Sequence, residues 1–83
     1  MIIITTQNTF ATMKIASIGA GRMASALVRG LVQANVCAAK DISIADPVAA
    51  AREQLAGSLG ANVATTNAEA VADADVILLC VKP

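Results

Sequence analysis

The sequence GAGRMA at residues 19–24 lies between a short apolar run and a segment with helical periodicity. The apolar run, residues 14–18, predicts a strand that is buried on both faces, as parallel sheets require. Residues 22–35 place apolar side chains at helical spacing and predict a helix. A turn of this kind between strand and helix matches the dinucleotide fingerprint GxGxxA. It predicts a pyrophosphate site, and the alternative is a turn with a purely structural role.

Each small residue of this turn has an expected function. Gly19 permits the tight turn, and Gly21 lacks the Cβ that would keep a pyrophosphate away from the backbone. Ala24 keeps the helix close to the strand. The free N–H groups and the positive dipole end of the helix would stabilise the phosphate charge. Gly30, inside the same helix, costs stability, and we expect close packing against a neighbouring backbone to compensate.

The remainder of the chain alternates between strands and helices. Strands are expected at residues 41–46, 62–66 and 74–81, and helices at residues 47–59 and 66–72. Pro47 begins the first of these helices and Gly60 closes it, whereas Thr66 and Glu69 form a capping box at the second. This alternation predicts an α/β fold with a Rossmann-like doubly wound parallel sheet. Because the sequence stops directly after a buried strand, we expect an incomplete fold, an amino-terminal fragment.

Asp46 ends the second predicted strand and lies 25 residues after Gly21. A carboxylate there would accept hydrogen bonds from the adenosine ribose, which favours NAD and disfavours the 2′-phosphate of NADP. The alternative is that Asp46 only caps the following helix. Arg22, or less favourably Arg52, could supply a cation to a 2′-phosphate, so the sequence leaves the choice between NADP and NAD open.

Composition excludes several functional classes. The 83 residues carry six basic and six acidic side chains in a scattered arrangement, which argues against a nucleic-acid partner. The longest apolar run, residues 76–81, is too short for a membrane span. The sequence lacks His, and Cys37 and Cys80 have no metal-ligand spacing, so we expect reduced thiols, no metal and a cytoplasmic location. Residues 1–13 are expected to be a loose extension, with Met13 as a possible true start, and residues 14–83 the cofactor-binding part.

The stretches IGAGRMASALVRGL and TTNAEAVADADVILLCVKP resemble the cofactor domain of pyrroline-5-carboxylate reductases. The resemblance covers Lys14–Pro83 and implies NAD(P)H-dependent reduction of an imine, 1-pyrroline-5-carboxylate, to L-proline. It also implies a helical carboxy-terminal domain that forms the homo-oligomer and the substrate pocket. The family often has Asn or Gln at the position of Arg22 and short neutral residues at that of Asp46, which again leaves the cofactor preference open.

Carried over by position, the resemblance implies a set of cofactor contacts around the pyrophosphate, the ribose and the nicotinamide. No catalytic residue is expected in this chain, because the family's proton donor lies in the other domain. Without the resemblance, Lys82 at a strand end is better explained by a solvated side chain than by a cofactor contact. The implied contacts are Ile18, Gly19, Ala20, Gly21, Arg22, Met23, Asp46, Asn67, Cys80, Val81, Lys82 and Pro83.

Two other classes of function remain open at this point. The first is another reductase of the same superfamily, such as a β-hydroxyacid dehydrogenase or a deazaflavin-dependent NADP reductase. The second is a non-enzymatic module that binds a dinucleotide and reports it to a partner. The sequence that follows Pro83 would discriminate between them, since a long helical domain favours the imine reductase.

Overall fold

A computed structural model describes residues 2–6 and 13–80 of the chain. Strands and helices alternate from residue 15 onward, as the sequence predicts, and a short 3₁₀ turn, Ala39–Asp41, precedes the third strand. In chain order the elements are β1 Ile2–Thr6, β2 Ile15–Ile18, α1 Arg22–Gln33, β3 Ile42–Ala45, α2 Ala49–Leu59, β4 Asn62–Val63, α3 Asn67–Val71 and β5 Val76–Cys80.

The strands form one sheet in the order β1-β5-β2-β3-β4. The pairs β5–β2, β2–β3 and β3–β4 are all parallel. The chain therefore moves outward from β2 through β3 to β4, and then crosses back to place β5 on the other side of β2. Such a reversal creates a crevice at the carboxyl ends of the central strands, where ligands bind in doubly wound sheets. The predicted fold class is confirmed, and the crevice lies where the glycine turn follows β2.

The sheet has one strand that the sequence analysis did not predict. β1 pairs antiparallel with β5, with Ile2 opposite Cys80 and Thr6 opposite Val76. Residues 2–6 therefore differ from the expected loose extension. The backbone groups at the free edge of β5 provide the physical reason, because an unpaired strand edge favours pairing with any available extended segment. A short segment with no clear apolar alternation carries little sequence signal for such pairing.

Helices cover both faces of the sheet. On one face Ile42, Ile44 and Leu78 are at most 2% exposed and pack with Val28 of α1 and Leu55 of α2. On the opposite face the core consists of small side chains, Ala16, Ala45, Ala64 and Ala70, the last of which belongs to α3. Because successive strand residues point to opposite faces, this division follows from the sequence of each strand.

The helix ends differ in part from the predictions. α1 begins at Arg22 as expected and ends at Gln33, and α2 ends at Leu59, after which Gly60 adopts a left-handed conformation with φ 79°. The expectation that Pro47 begins α2 is wrong, because the helix starts at Ala49 with Val48 as its N-cap. The packing expected at Gly30 is also wrong, since a Cβ built there has no neighbour within 4 Å.

The capping box at α3 is half formed. The Glu69 N–H donates to the Thr66 hydroxyl at 3.0 Å, as the motif predicts. The Glu69 carboxylate instead accepts from the hydroxyl of Thr65 at 2.8 Å. α3 therefore has a defined start at Asn67, and this start lies at the same edge of the sheet as the glycine turn, since both follow the carboxyl end of a parallel strand.

Candidate dinucleotide-binding site

Gly19 is the first residue after β2, and the surrounding protein requires a glycine there. Its φ is +118°, which L-amino acids rarely adopt, and a Cβ at this position would overlap the backbone oxygen of Cys80 at the end of β5. Its N–H donates to the carbonyl of Ala45 at the end of β3, at 2.7 Å. Gly19 therefore joins the carboxyl ends of three neighbouring strands, which fixes the start of the turn.

Ser17 supports the glycine turn, and the sequence analysis missed it. It is fully buried in β2, and its hydroxyl donates to the Gly19 carbonyl at 2.9 Å. A buried polar side chain needs a hydrogen-bond partner, and this one finds it in the turn. The signal was present in the sequence, as a hydroxyl inside the apolar run IASI two residues before the first glycine.

Gly21 and the start of α1 differ from Gly19 in their surroundings. Gly21 is the N-cap of α1 with φ −78°, and a Cβ built on it has no neighbour within 4 Å. The first helical hydrogen bond runs from the Ser25 N–H to the Gly21 carbonyl at 2.9 Å, so the N–H groups of residues 21–24 have no acceptor within the helix. Within the described residues, no side chain caps α1 and no acid lies in its first turn.

The start of α1 borders an open cleft that extends to α2, has a volume of about 550 Å³ and is lined by Gly21 and Arg22 from the group with free N–H donors. Ser25 also lines this cleft. Arg22 and Arg29 add positive charge to the lining. Arg29 also donates to the hydroxyl of Ser58 on α2, at 2.9 Å. Free backbone donors, a helix N-terminus and two guanidinium groups are the chemistry that binds a phosphate. Gly21 leaves room for one to approach the backbone, so the residues present fit a dinucleotide diphosphate.

Asp46 lies directly after β3 and reaches the glycine turn. One carboxylate oxygen accepts from the Ala20 N–H at 2.9 Å, and the other accepts from the Val48 N–H at 2.8 Å. Arg52 of α2 donates to the backbone oxygen of Asp46 at 3.0 Å. The expectation that Asp46 caps α2 is therefore wrong. Its carboxylate accepts from the N–H of Val48, the residue before the helix, and from the N–H of Ala20 in the glycine turn.

The structure brings most of the remaining implied residues to this edge of the sheet. Ile18 is the last residue of β2, Ala20 is buried, and Arg22 and Met23 are exposed on the first turn of α1. Ala24 is only 1% exposed, as close packing of α1 on the sheet requires. Asn67 is exposed at the start of α3. Val81, Lys82 and Pro83 lie outside the described residues.

Cys80 ends β5 and is half-buried against the turn. Burial raises the pKa of its thiol above the usual value of 9.0. The thiol is therefore protonated at neutral pH, which makes it a packing group and a poor nucleophile. Its contribution to the site is its backbone oxygen, whose position excludes any side chain at Gly19.

The opposite edge of the sheet has a smaller cavity of about 300 Å³ with a different character. Lys14, Lys40, Asp41, Glu69 and Asp73 line it, so charges of both signs alternate there. Among residues 2–6 and 13–80, no cluster of His, Cys, Asp or Glu could hold a metal ion. In the same part of the chain no helix is both long and apolar enough to cross a bilayer.

Fold and turn together define a dinucleotide-binding protein. Residues 14–83 match the model of the family described as NADP oxidoreductase, coenzyme F420-dependent, and the chain belongs to that family. The prediction of NADP or NAD as cofactor agrees with this membership.

Curated relatives give a narrower similarity. The chain is 51% identical over 72 residues to a pyrroline-5-carboxylate reductase of Pseudomonas aeruginosa, covering 87% of this chain and 26% of the relative. It is 39% identical over 70 residues to the pyrroline-5-carboxylate reductase of Methanosarcina acetivorans, covering 84% and 26%. The enzyme of that name from Arabidopsis thaliana is 36% identical over 72 residues, covering 87% and 26%. The chain thus spans about a quarter of the length of these relatives.

Proposed function

We propose that this chain is the cofactor-binding part of a pyrroline-5-carboxylate reductase, which reduces 1-pyrroline-5-carboxylate to L-proline in proline biosynthesis. The observation that carries the proposal is the 51% identity to the Pseudomonas aeruginosa reductase over 87% of the chain. The resemblance of the turn and of the VKP ending to that family, noted from the sequence, supports the same assignment. The proposed cofactor is NADP or NAD in its reduced form.

The role of this chain is to bind and orient the cofactor. When bound, the nicotinamide would supply the hydride to the imine carbon. The N–H groups of residues 21–24 would bind the diphosphate, and the open space at Gly21 would allow it to approach the backbone. Arg22 and Arg29 would add charge attraction from the lining of the cleft. Asp46 would face the adenosine ribose.

The nicotinamide end of the site is proposed to lie after β5. Cys80 and the residues that follow it, Val81, Lys82 and Pro83, would form one wall of that pocket, and Asn67 would contact the cofactor from the start of α3. The carboxyl ends of parallel strands share one edge of the sheet, which supports this placement. No residue of this chain is assigned as a proton donor, and the imine nitrogen would receive its proton from another part of the enzyme.

The proposal includes the setting of the complete enzyme. We expect a homo-oligomer whose substrate pocket is built by the portion of the relatives that this chain does not match, and a cytoplasmic location. Hydride transfer requires the imine carbon at about 3–3.5 Å from the donor carbon. This chain would supply the cofactor side only, so the 83 residues alone are expected to show no reductase activity.

A second candidate is a deazaflavin-dependent NADP reductase. The family description itself, which names coenzyme F420, favours it. Both candidates use the same diphosphate turn, so the site on this chain does not separate them. They differ in the partner of the nicotinamide, which is a cyclic imine in one case and a deazaflavin in the other.

The test compares the two substrates directly. NADPH and NADH oxidation is followed with the full-length protein and either 1-pyrroline-5-carboxylate or oxidised coenzyme F420, with the 83-residue chain as the matched control. Turnover with the imine alone supports the proposal. Turnover with the deazaflavin alone replaces it by the second candidate. Imine turnover by the 83-residue chain at the full-length rate would contradict the proposal that the substrate pocket lies outside this chain.

A further inference from the structure

We infer that Asp46 is a positioning residue for the diphosphate turn, because its carboxylate fastens the turn to the loop after β3. This inference rests on the proposed function, since it assigns a role in binding the same cofactor. It differs from the two roles expected from the sequence, which are contact with the ribose and capping of the following helix. The juxtaposition that carries it is a carboxylate held between the Ala20 and Val48 N–H groups, at 2.9 and 2.8 Å.

The Asp46 carboxylate forms a bridge between two segments that are distant in sequence. Ala20 lies between the two glycines of the turn, and Val48 lies 28 positions later, before α2. The Asp46 backbone is itself held, because Arg52 donates to its carbonyl oxygen at 3.0 Å. Both the side chain and the backbone of Asp46 are therefore held by hydrogen bonds. Hydrogen bonds from N–H groups to a carboxylate are stronger than those between neutral groups.

The bridge also selects which donors face a ligand. The N–H of Ala20 is occupied by Asp46, whereas the N–H groups of residues 21–24 have no acceptor within α1. Ala20 is buried and its neighbour Gly21 is exposed. Fixing the Ala20 peptide therefore orients the next peptide units toward the cleft. A carboxylate has about four acceptor positions, so this role leaves room for ribose hydroxyls at the remaining ones.

The direction in which pyrophosphate affinity changes when the Asp46 charge is removed distinguishes this role from ribose contact alone. Inorganic pyrophosphate is an anion with no ribose. If Asp46 acted only through the ribose, its removal would leave pyrophosphate affinity unchanged or would raise it, because a nearby negative charge is lost. If Asp46 positions the turn, its removal weakens pyrophosphate binding despite the favourable change in charge.

The experiment measures pyrophosphate affinity by titration of the full-length protein and three variants. Asp46→Ala is expected to raise the Kd about tenfold, the size of a charge-assisted hydrogen bond. Asp46→Asn keeps one acceptor oxygen and is expected to restore part of the affinity. Glu53→Gln removes the same charge from an exposed position of α2 and is the matched control, with a Kd equal to that of the unmodified protein. An unchanged or lowered Kd for Asp46→Ala overturns the inference.

A measurement on the unmodified protein covers the case in which Asp46→Ala does not fold. Amide hydrogen exchange without ligand should be slower at Ala20 than at Arg22, because only the Ala20 N–H has an acceptor. Equal exchange at both positions overturns the inference. Both experiments are independent of turnover, so a protein that binds pyrophosphate as expected but does not reduce the imine would refute the proposed function alone.

Discussion

The two glycines of the turn, Gly19 and Gly21, are one residue apart and are required for different reasons. Gly19 has a left-handed φ, and the backbone of Cys80 occupies the space that its Cβ would take. Gly21 has an ordinary φ, and nothing in the protein lies near the position of its Cβ. The fold thus explains the first glycine completely, whereas at the second neither backbone strain nor overlap requires a glycine. Because Gly21 also lines the cleft at the start of α1, the comparison teaches that a glycine without strain or overlap points to a ligand where it borders such a cleft.

The largest effect is expected at Gly19. Gly19→Ala combines a strained φ with overlap against the Cys80 oxygen, which belongs to a paired strand and cannot easily move. We expect the free energy of unfolding to fall by about 3 kcal/mol or more. Urea denaturation of the chain measures this loss. Gly60→Ala is the matched control, because Gly60 also has a positive φ, 79°, but lies in open space, and it should cost only about 1–2 kcal/mol. Equal losses in both variants would mean that the overlap contributes nothing.

The second-largest effect is expected at Gly21 and concerns cofactor affinity. Gly21→Val in the full-length protein places a branched side chain where the diphosphate would approach, so the Kd for NAD(P)H should rise tenfold or more, about 1.4 kcal/mol. The free energy of unfolding should fall by no more than about 1 kcal/mol, the usual preference for glycine over an aliphatic residue at an N-cap. An unchanged Kd in a direct titration would refute the phosphate role of Gly21.

The sequence predicted the local features of this turn and missed its long-range ones. The strand, the two glycines and the start of α1 at Arg22 are all encoded within ten residues, so periodicity and a fingerprint are sufficient. The overlap partner of Gly19 is Cys80, 61 positions away, and it becomes apparent only when β5 pairs with β2. Sequence patterns carry no information about such a contact until the topology is known.

Asp46 illustrates the same limit at the side-chain level. Its position after the second strand indicated a functional acid, and the structure places it at the predicted edge of the sheet. Its partner, the Ala20 N–H, was not predicted, since 26 residues separate the two groups. The start of α2 was misplaced for the same reason, because the carboxylate that was expected to cap the helix binds the turn and the Val48 N–H.

A third prediction concerns the hydrogen bond from the Ser17 hydroxyl to the Gly19 carbonyl. Ser17→Ala removes the hydroxyl that donates to the Gly19 carbonyl at 2.9 Å in a fully buried position. We expect the free energy of unfolding to fall by about 1 kcal/mol, because the carbonyl loses a buried partner. Ser43→Ala, at a half-buried position of the neighbouring β3, provides the comparison and should change stability by less. If Ser43→Ala costs as much as Ser17→Ala, the hydrogen bond to the turn is not the cause.

The smallest effect is expected at a glycine that belongs to neither half of the turn. Gly30 is exposed in the middle of α1, and a Cβ there meets nothing within 4 Å. Neither strain, nor overlap, nor the diphosphate cleft requires glycine at this position, so Gly30→Ala should raise the free energy of unfolding by about 0.5–1 kcal/mol through helix propensity. The Kd for NAD(P)H should stay unchanged, which makes this variant the control for Gly21→Val. If Gly30→Ala raises the Kd in the full-length protein while stabilising the 83-residue chain, Gly30 is required by a contact outside this chain, and a position beside the cleft would not be what separates Gly21 from Gly30.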